Sequence, residues 1–190
     1  MPNIFGMRVF LALFALVMMV AATGPASAGQ NDARLNVLFE RLQKTQDENE
    51  AKALQKTIWS IWARSDDATV NRLMQRGIGA MNVRDNALAL AAFNRVIEMR
   101  PDFAEAYDKR ATLFFLMRRY DAAVRDIAKT LELEPRHFGA LTGLALVNVA
   151  IGRNKAAIHA IERALELNPH IQGANARLEE LRDSLKGTPL

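Results

Sequence analysis

Three histidines, His137, His159 and His170, are the only imidazoles in the chain, and it contains no cysteine. A thiol nucleophile and thiolate metal ligands are therefore excluded. No His-Glu-x-x-His pair, glycine-rich phosphate loop or Gly-x-Ser-x-Gly elbow occurs. The histidine spacing does not suggest the convergence a metal site needs, so neither a metal nor a cofactor is expected. His137 follows a helix-ending proline, Pro135, where an imidazole serves most simply as a cap or hydrogen-bonding group. Taken together, these residues point away from an enzyme.

Phosphate recognition is no better supported. The pI is near 9.7, but the net charge is only +4, and lysines and arginines are interspersed with acids. Arg118, Arg119 and Arg125 form the densest basic cluster, at and beside a turn, and a solvated surface accounts for them better than a nucleic-acid site.

The elements that must position all these side chains are read from a repeat. Pro101, Pro135 and Pro169 stand 34 residues apart, twice. The residues before them stay in register: Val96-Ile97-Glu98-Met99-Arg100, Thr130-Leu131-Glu132-Leu133-Glu134 and Ala164-Leu165-Glu166-Leu167-Asn168. Each unit holds two apolar stretches at helical spacing, separated by a polar turn at Val83-Arg84-Asp85, Arg118-Arg119-Tyr120 or Gly152-Arg153-Asn154. Gly77, Ala89, Ala111, Ala123, Ala145 and Ala157 let paired helices approach closely, and Phe93, Ile127 and Ile161 fill the space beside them. One hairpin cannot bury its apolar face alone; stacking the next upon it does.

This pattern resembles the tetratricopeptide-repeat family. The matching positions are Leu73, Gly77, Ala80, Ala89, Phe93 and Pro101, then Tyr107, Ala111, Phe114, Ala123, Ile127 and Pro135, then Leu141, Ala145, Asn148, Ala157, Ile161 and Pro169. Asn148 departs from the pattern, as do Arg76 and Arg110 where leucine is usual. The expected fold is all-α, a right-handed solenoid of three helical hairpins over residues 68–101, 102–135 and 136–169.

Atypical elements are expected at the ends of such a stack. Ile171, Ala174, Leu178, Leu181 and Leu185 form one helical stripe, which makes 170–186 a capping helix before a tail at 187–190. Upstream, Leu35, Leu38, Phe39 and Leu42, then Ala51, Leu54, Ile58, Ile61 and Trp62, predict a helix pair within 29–67. Ser65-Asp66-Asp67 offers oxygens to cap the first repeat helix. The pair is expected to cover the N-terminal face of the solenoid, with Trp59 and Trp62 in its seam with the first repeat and an exposed partner-binding platform as the alternative.

Val9 to Ala22 is an apolar run of 14 residues. A membrane span needs roughly 20 and a secretory core about 7 to 15, so residues 1–28 read as a signal peptide cut after Ala26-Ser27-Ala28, with a retained anchor as the alternative. Without cysteine no lipid can be attached at the new N-terminus, so no stable membrane anchor is expected after cleavage. Ile58-Trp59, Arg64-Ser65, Thr69-Val70, Arg76-Gly77 and Glu134-Pro135-Arg136-His137-Phe138-Gly139-Ala140-Leu141 resemble signal-bearing tetratricopeptide proteins of alphaproteobacteria. That resemblance implies a periplasmic address and brings no established activity.

The tetratricopeptide resemblance implies that the first helix of each hairpin lines a concave groove. Asn71, Met74, Ile78, Met81 and Asn82 would come from the first repeat, Glu105, Asp108, Thr112 and Phe115 from the second, and Thr142, Leu146 and Val149 from the third. The residues that clamp a C-terminal carboxylate in chaperone-binding relatives are absent, with Met74, Ile78, Asp108, Thr112 and Thr142 in their places. A groove of Met81, Phe115 and Leu146 suits the apolar stripe of a partner helix, with Glu105 and Asp108 favouring nearby basic residues. Two functions stay open: an envelope scaffold that docks a peptide or helix, and a structural or self-associating protein whose groove is filled by its own chain or a second copy.

Overall fold

In the computed structural model, which describes residues 29–186, the apolar periodicity folds into helices throughout. The signal peptide read at 1–28 and the tail at 187–190 lie outside the described residues. After a short 3-10 turn at Gly29–Asn31 come α1 (Arg34–Lys44) and α2 (Glu48–Trp62). Three hairpins follow: α3 (Ala68–Asn82) with α4 (Asn86–Met99), α5 (Ala104–Leu116) with α6 (Tyr120–Leu133), and α7 (Phe138–Ala150) with α8 (Asn154–Leu167). The last described helix is α9 (Ala174–Lys186). Aspartates start several helices: Asp47 accepts from Asn49 N at 2.8 Å, Asp67 from Thr69 N at 2.6 Å and Asp85 from Leu88 N at 3.0 Å. Among the described residues no helix is long and apolar enough to cross a membrane.

Close approach inside the first hairpin depends on Gly77. A Cβ there would lie 2.5 Å from Cε1 of Phe93, whose ring is fully buried and cannot retreat. Ala in a helix normally stabilises by about 1 kcal/mol over Gly, while overpacking costs about 1–3 kcal/mol. Gly77→Ala is therefore expected to lower the thermal midpoint, and adding Phe93→Leu to restore part of the loss.

Each departure from the repeat pattern has a local reason. Arg76 and Arg110 share one register, but α3 has no hairpin before it, so Arg76 is exposed, together with Arg72, Gln75 and Gly79. Arg110 is inside the stack and is neutralised: Nε and Nη2 donate to Asp126 at 2.7 and 2.8 Å, and Nη1 donates to Asn94 at 2.7 Å. Asn148 is buried and turns its amide back to the Leu144 carbonyl at 2.9 Å. The turns within the hairpins pass through left-handed backbone at Arg84 (φ 61°), Arg118 (φ 57°) and Gly152 (φ 74°).

The N-terminal pair is not where the stacking argument puts it. The core of the first hairpin, built on Val70, Met74, Phe93 and Val96, contains no residue of α1 or α2. The N-terminal segment instead runs along the edge formed by the turns between repeats, the 3-10 turn, α1 and the link to α2 touching in order the residues after the three prolines. Gln30 donates to the Asp102 carbonyl, Arg136 donates to Asn36 Oδ1 at 2.8 Å, and His170 Nε2 lies 3.1 Å from the Thr45 carbonyl. Gln43 Nε2 donates to the Glu166 carbonyl at 3.0 Å. Its core of Leu35, Phe39, Leu42, Leu54, Ile58 and Trp62 closes over Phe138, with Leu167 and Ile171 beside it. The polar outer face of α3 explains the difference: that end of the solenoid is already solvated, whereas Phe138 needs cover. At the other end α9 caps the stack as expected, burying Leu178 and Leu181 against Ala145, Ala157 and Ile161.

Candidate functional site

The concave side holds a cleft of about 390 Å³. One wall is α2, through Gln55 and Trp59. The other is the inner face of α5 and α7, through Asp108, Lys109, Thr112, Phe115, Thr142, Gly143 and Leu146, and Ile171 and Gln172 close one end. Leu146 is 48 % exposed and joins this cleft to a smaller one of about 180 Å³ that continues past Val149 to Arg177. The surface is mostly apolar, with amides and hydroxyls at its margin, which suits a helix or extended segment presenting one apolar stripe.

Trp59 is held in place by what lies beneath it. A Cβ on Gly139 would be 2.3 Å from its Cη2, so only glycine admits the indole so close to α7. Trp59 packs edge-on against Trp62, His137 and Phe138 at centroid distances of 5.3, 5.5 and 5.4 Å, and Trp62 stacks on His137 at 4.2 Å and 13°. Both tryptophans thus pack against the third repeat, not in a seam with the first.

Behind this aromatic layer lies a buried charge network. His137 caps α7, its Nδ1 accepting the Ala140 N–H at 3.0 Å, which puts the ring proton on Nε2, 3.1 Å from Glu105 Oε2. Burial disfavours the imidazolium, but Asp108 and Glu105 outweigh it and raise the His137 pKa above the ordinary value. Lys109 Nζ bridges Glu105 at 2.9 Å and Asp108 at 3.1 Å and stands 5.0 Å from the Trp59 ring centroid. Burial works against that ammonium too, and the same two carboxylates prevail, raising its pKa. Glu105, Asp108 and His137 are the described residues whose donor atoms converge as a metal would require. Lys109 already supplies their cation and His137 Nδ1 is committed to backbone, so the cluster acts as an internal tie between α5 and α7. His137 has no accessible surface, and no substrate can reach it.

Of the groove residues expected from the repeat register, the cleft brings together Asp108, Thr112, Phe115, Thr142 and Leu146, and Val149 lines its continuation. It does not include the other six. Asn71 pairs with the Ser65 backbone, Met74 is buried in the first hairpin, and Ile78 and Met81 pack against that core. Asn82 is exposed away from the cleft, and Glu105 is buried beneath it as the partner of Lys109 and His137. Gln55, Lys109, Ile171 and Gln172 were missed, and Trp59 enters only through the alternative reading of the tryptophans as a partner-binding platform. The one signal for them was the Trp59–Trp62 pair, whose spacing gave no hint of which surface it would meet.

The fold and cleft define a class, a helical-hairpin solenoid with a partly enclosed concave face. Residues 109–170 match the tetratricopeptide-repeat family model. Over that segment the chain is related to known proteins with tetratricopeptide-repeat domains, and its paired helices have the architecture of such repeats. It is 40 % identical over 114 residues to a TPR repeat-containing protein of Rhizobium etli, a match covering 60 % of this chain and 56 % of that protein, so it spans little more than half of that relative's length. Among solved structures, the first TPR of Spaghetti (RPAP3), bound to an HSP90 peptide, superposes with a TM-score of 0.61 at 19 % identity, covering 64 % of this chain and 97 % of that one. The TPR2B domain of yeast Sti1, in complex with an Hsp70 peptide, does so with 0.58 at 18 %, covering 62 % and 99 %. These two likenesses are likenesses of fold.

Proposed function

We propose that this protein is a non-catalytic interaction scaffold of the cell envelope, exported to a Gram-negative periplasm, that docks a peptide or helix of a partner protein in the cleft between α2, α5 and α7. The observation that carries this reading is the half-exposed Leu146 in a mostly apolar cleft that the chain's own helices wall on one side and leave open. Peptide binding by the structurally similar TPR domains of RPAP3 and Sti1 supports the use of such a surface. The carboxylate clamp is missing, so the partner's stripe of apolar side chains, not a chain terminus, is the recognised feature. The apolar run before Ala28 supports the address.

A second reading has its own observation in favour. Trp59 of α2 already occupies part of the concave side, so the groove is filled in part by its own chain, and a second copy could take the remainder.

The test uses the full chain expressed in a Gram-negative host, with a photocrosslinking residue in place of Thr112, which is exposed at the cleft. A discrete heteromeric adduct, reduced at least about tenfold by Leu146→Glu, is the expected result, since a buried charge costs several kcal/mol at an apolar contact. An adduct of twice the monomer mass establishes self-association instead. Adducts identical to those from an exposed control position, Lys56, contradict both readings.

A further inference from the structure

The two edges of the solenoid differ in kind. The edge built from the turns between repeats is covered by α1 and α2, as described above. Among the described residues no helix runs along the opposite edge, built from the turns within the hairpins, and only the end of α9 reaches it, where Asn154 Nδ2 donates to Ser184 Oγ at 3.3 Å. Because α3, α5 and α7 run side by side, Arg84, then Arg118 and Arg119, then Arg153 recur along that edge, with Lys155 in the first turn of α8 and Arg125 just past the first turn of α6. Against them in these turns stand Asp85, committed to the N-terminus of α4, and Asp121.

Three further observations mark this edge. Arg84, Arg118, Arg125, Arg153 and Lys155 make no side-chain hydrogen bond or ion pair among the described residues; Arg64, Arg76 and Arg163 share that property elsewhere, but only here do such cations recur from turn to turn along one edge. Arg84 and Arg118 are held in left-handed backbone that favours glycine, as the third turn demonstrates with Gly152, so arginine is kept there at a conformational cost. Finally, two of the large hydrophobic side chains most exposed in the described structure sit beside them: Val83 at 76 % and Leu116 at 61 %. A shallow cleft of about 350 Å³ lies between the second and third turns, lined by Arg118, Arg119, Arg125, Asp121 and Ile151.

We propose that this edge docks on an anionic phospholipid surface, with lipid phosphates taken by the turn arginines and Val83 and Leu116 entering the headgroup layer. Projecting tips that alternate cations with aliphatic side chains match a bilayer interface, which offers phosphates and an apolar boundary at adjacent depths. A polyanion such as nucleic acid or an acidic protein segment would use the charges and leave the aliphatic tips in water. The surface is distinct from the concave cleft, so a scaffold docked in this way presents its cleft away from the point of attachment.

The test is co-sedimentation of the full chain with vesicles of phosphatidylcholine alone and with roughly one quarter phosphatidylglycerol, at low and raised salt. Tighter binding to the anionic vesicles that weakens with salt is expected. The paired change Arg84→Gly, Arg118→Gly should reduce that preference about 30-fold, from ~1 kcal/mol for each basic residue near an anionic leaflet. Glycine suits both backbone positions, so the variant should melt no lower than the parent, and lost binding then reports lost charge. Val83→Ser with Leu116→Ser should weaken binding while leaving the salt dependence in place. Residues 1–28 are common to every arm and drop out of the comparison. Equal binding to both vesicle types, or an undiminished preference in the double glycine variant, overturns the proposal. So does capture by heparin or polyglutamate without capture by vesicles.

Discussion

Trp62→Ala is expected to destabilise the protein by about 3–5 kcal/mol, the range for deleting a buried aromatic side chain. Trp62 is 1 % exposed and is the hub of the layer that fastens α1 and α2 to the solenoid: Phe39, Phe138, Trp59 and His137 all pack on its ring. Repeat stacks lose their parts by neighbour interfaces, so the loss should be local. The helix pair is expected to detach while the three hairpins remain helical. Two signatures check this: a first denaturation step at low urea that the parent lacks, and fast proteolysis between Thr45 and Asp47 at native circular dichroism. Trp59, the sole remaining tryptophan, should shift its emission to the red as it leaves Gly139. A single transition displaced by less than about 1 kcal/mol would mean that the pair is not anchored through this ring.

Arg110→Ala should have an effect of similar size for a different reason. It strips the partner from Asp126, a carboxylate buried between α5 and α6, and uncompensated buried charge costs about 3–5 kcal/mol. The third repeat suggests the rescue. At the positions of Arg110 and Asp126 it carries Leu144 and Ala160, and both fit the same hairpin geometry. Arg110→Leu combined with Asp126→Ala should therefore recover most of the stability lost by either single change, as chemical denaturation of the four proteins would measure. Purely additive losses would mean that the ion pair shapes the hairpin itself.

These two predictions also mark the limit of what the sequence discloses. Repeat-internal features were legible, because a 34-residue period assigns each residue a role by its register, as with Gly77 opposite Phe93; outside the repeats, capping chemistry disclosed Asp67 and helical spacing the closing stripe of Leu178 and Leu181. The same register located Thr112, Phe115, Thr142 and Leu146 on one wall of the cleft. The other wall was not legible. Trp59 meets Gly139 across a separation that no local periodicity encodes, and a helix pair with one apolar stripe does not state which surface it will cover. Glu105 failed as a groove residue for a related reason: its role depends on Lys109 and on His137 from the next repeat, and only the fold brings all three together. Met74 was lost to the core because α3, with no hairpin before it, buries its apolar side entirely against α4 and α5.

The claim on which the site depends is that α1 and α2 lie along the inter-repeat edge and wall the cleft. The chain has no cysteine, so paired cysteines can report on it directly. Gln43→Cys with Glu166→Cys joins two exposed positions that the Gln43 contact brings together across α1 and the end of α8. A short bismaleimide should close this pair within one molecule, rapidly and nearly to completion, while Gln43→Cys with Gln75→Cys, on the outer face of α3, should stay open. The reverse outcome, in which α1 reacts with α3 and not with the end of α8, would return the pair to the N-terminal face and remove one wall of the proposed site.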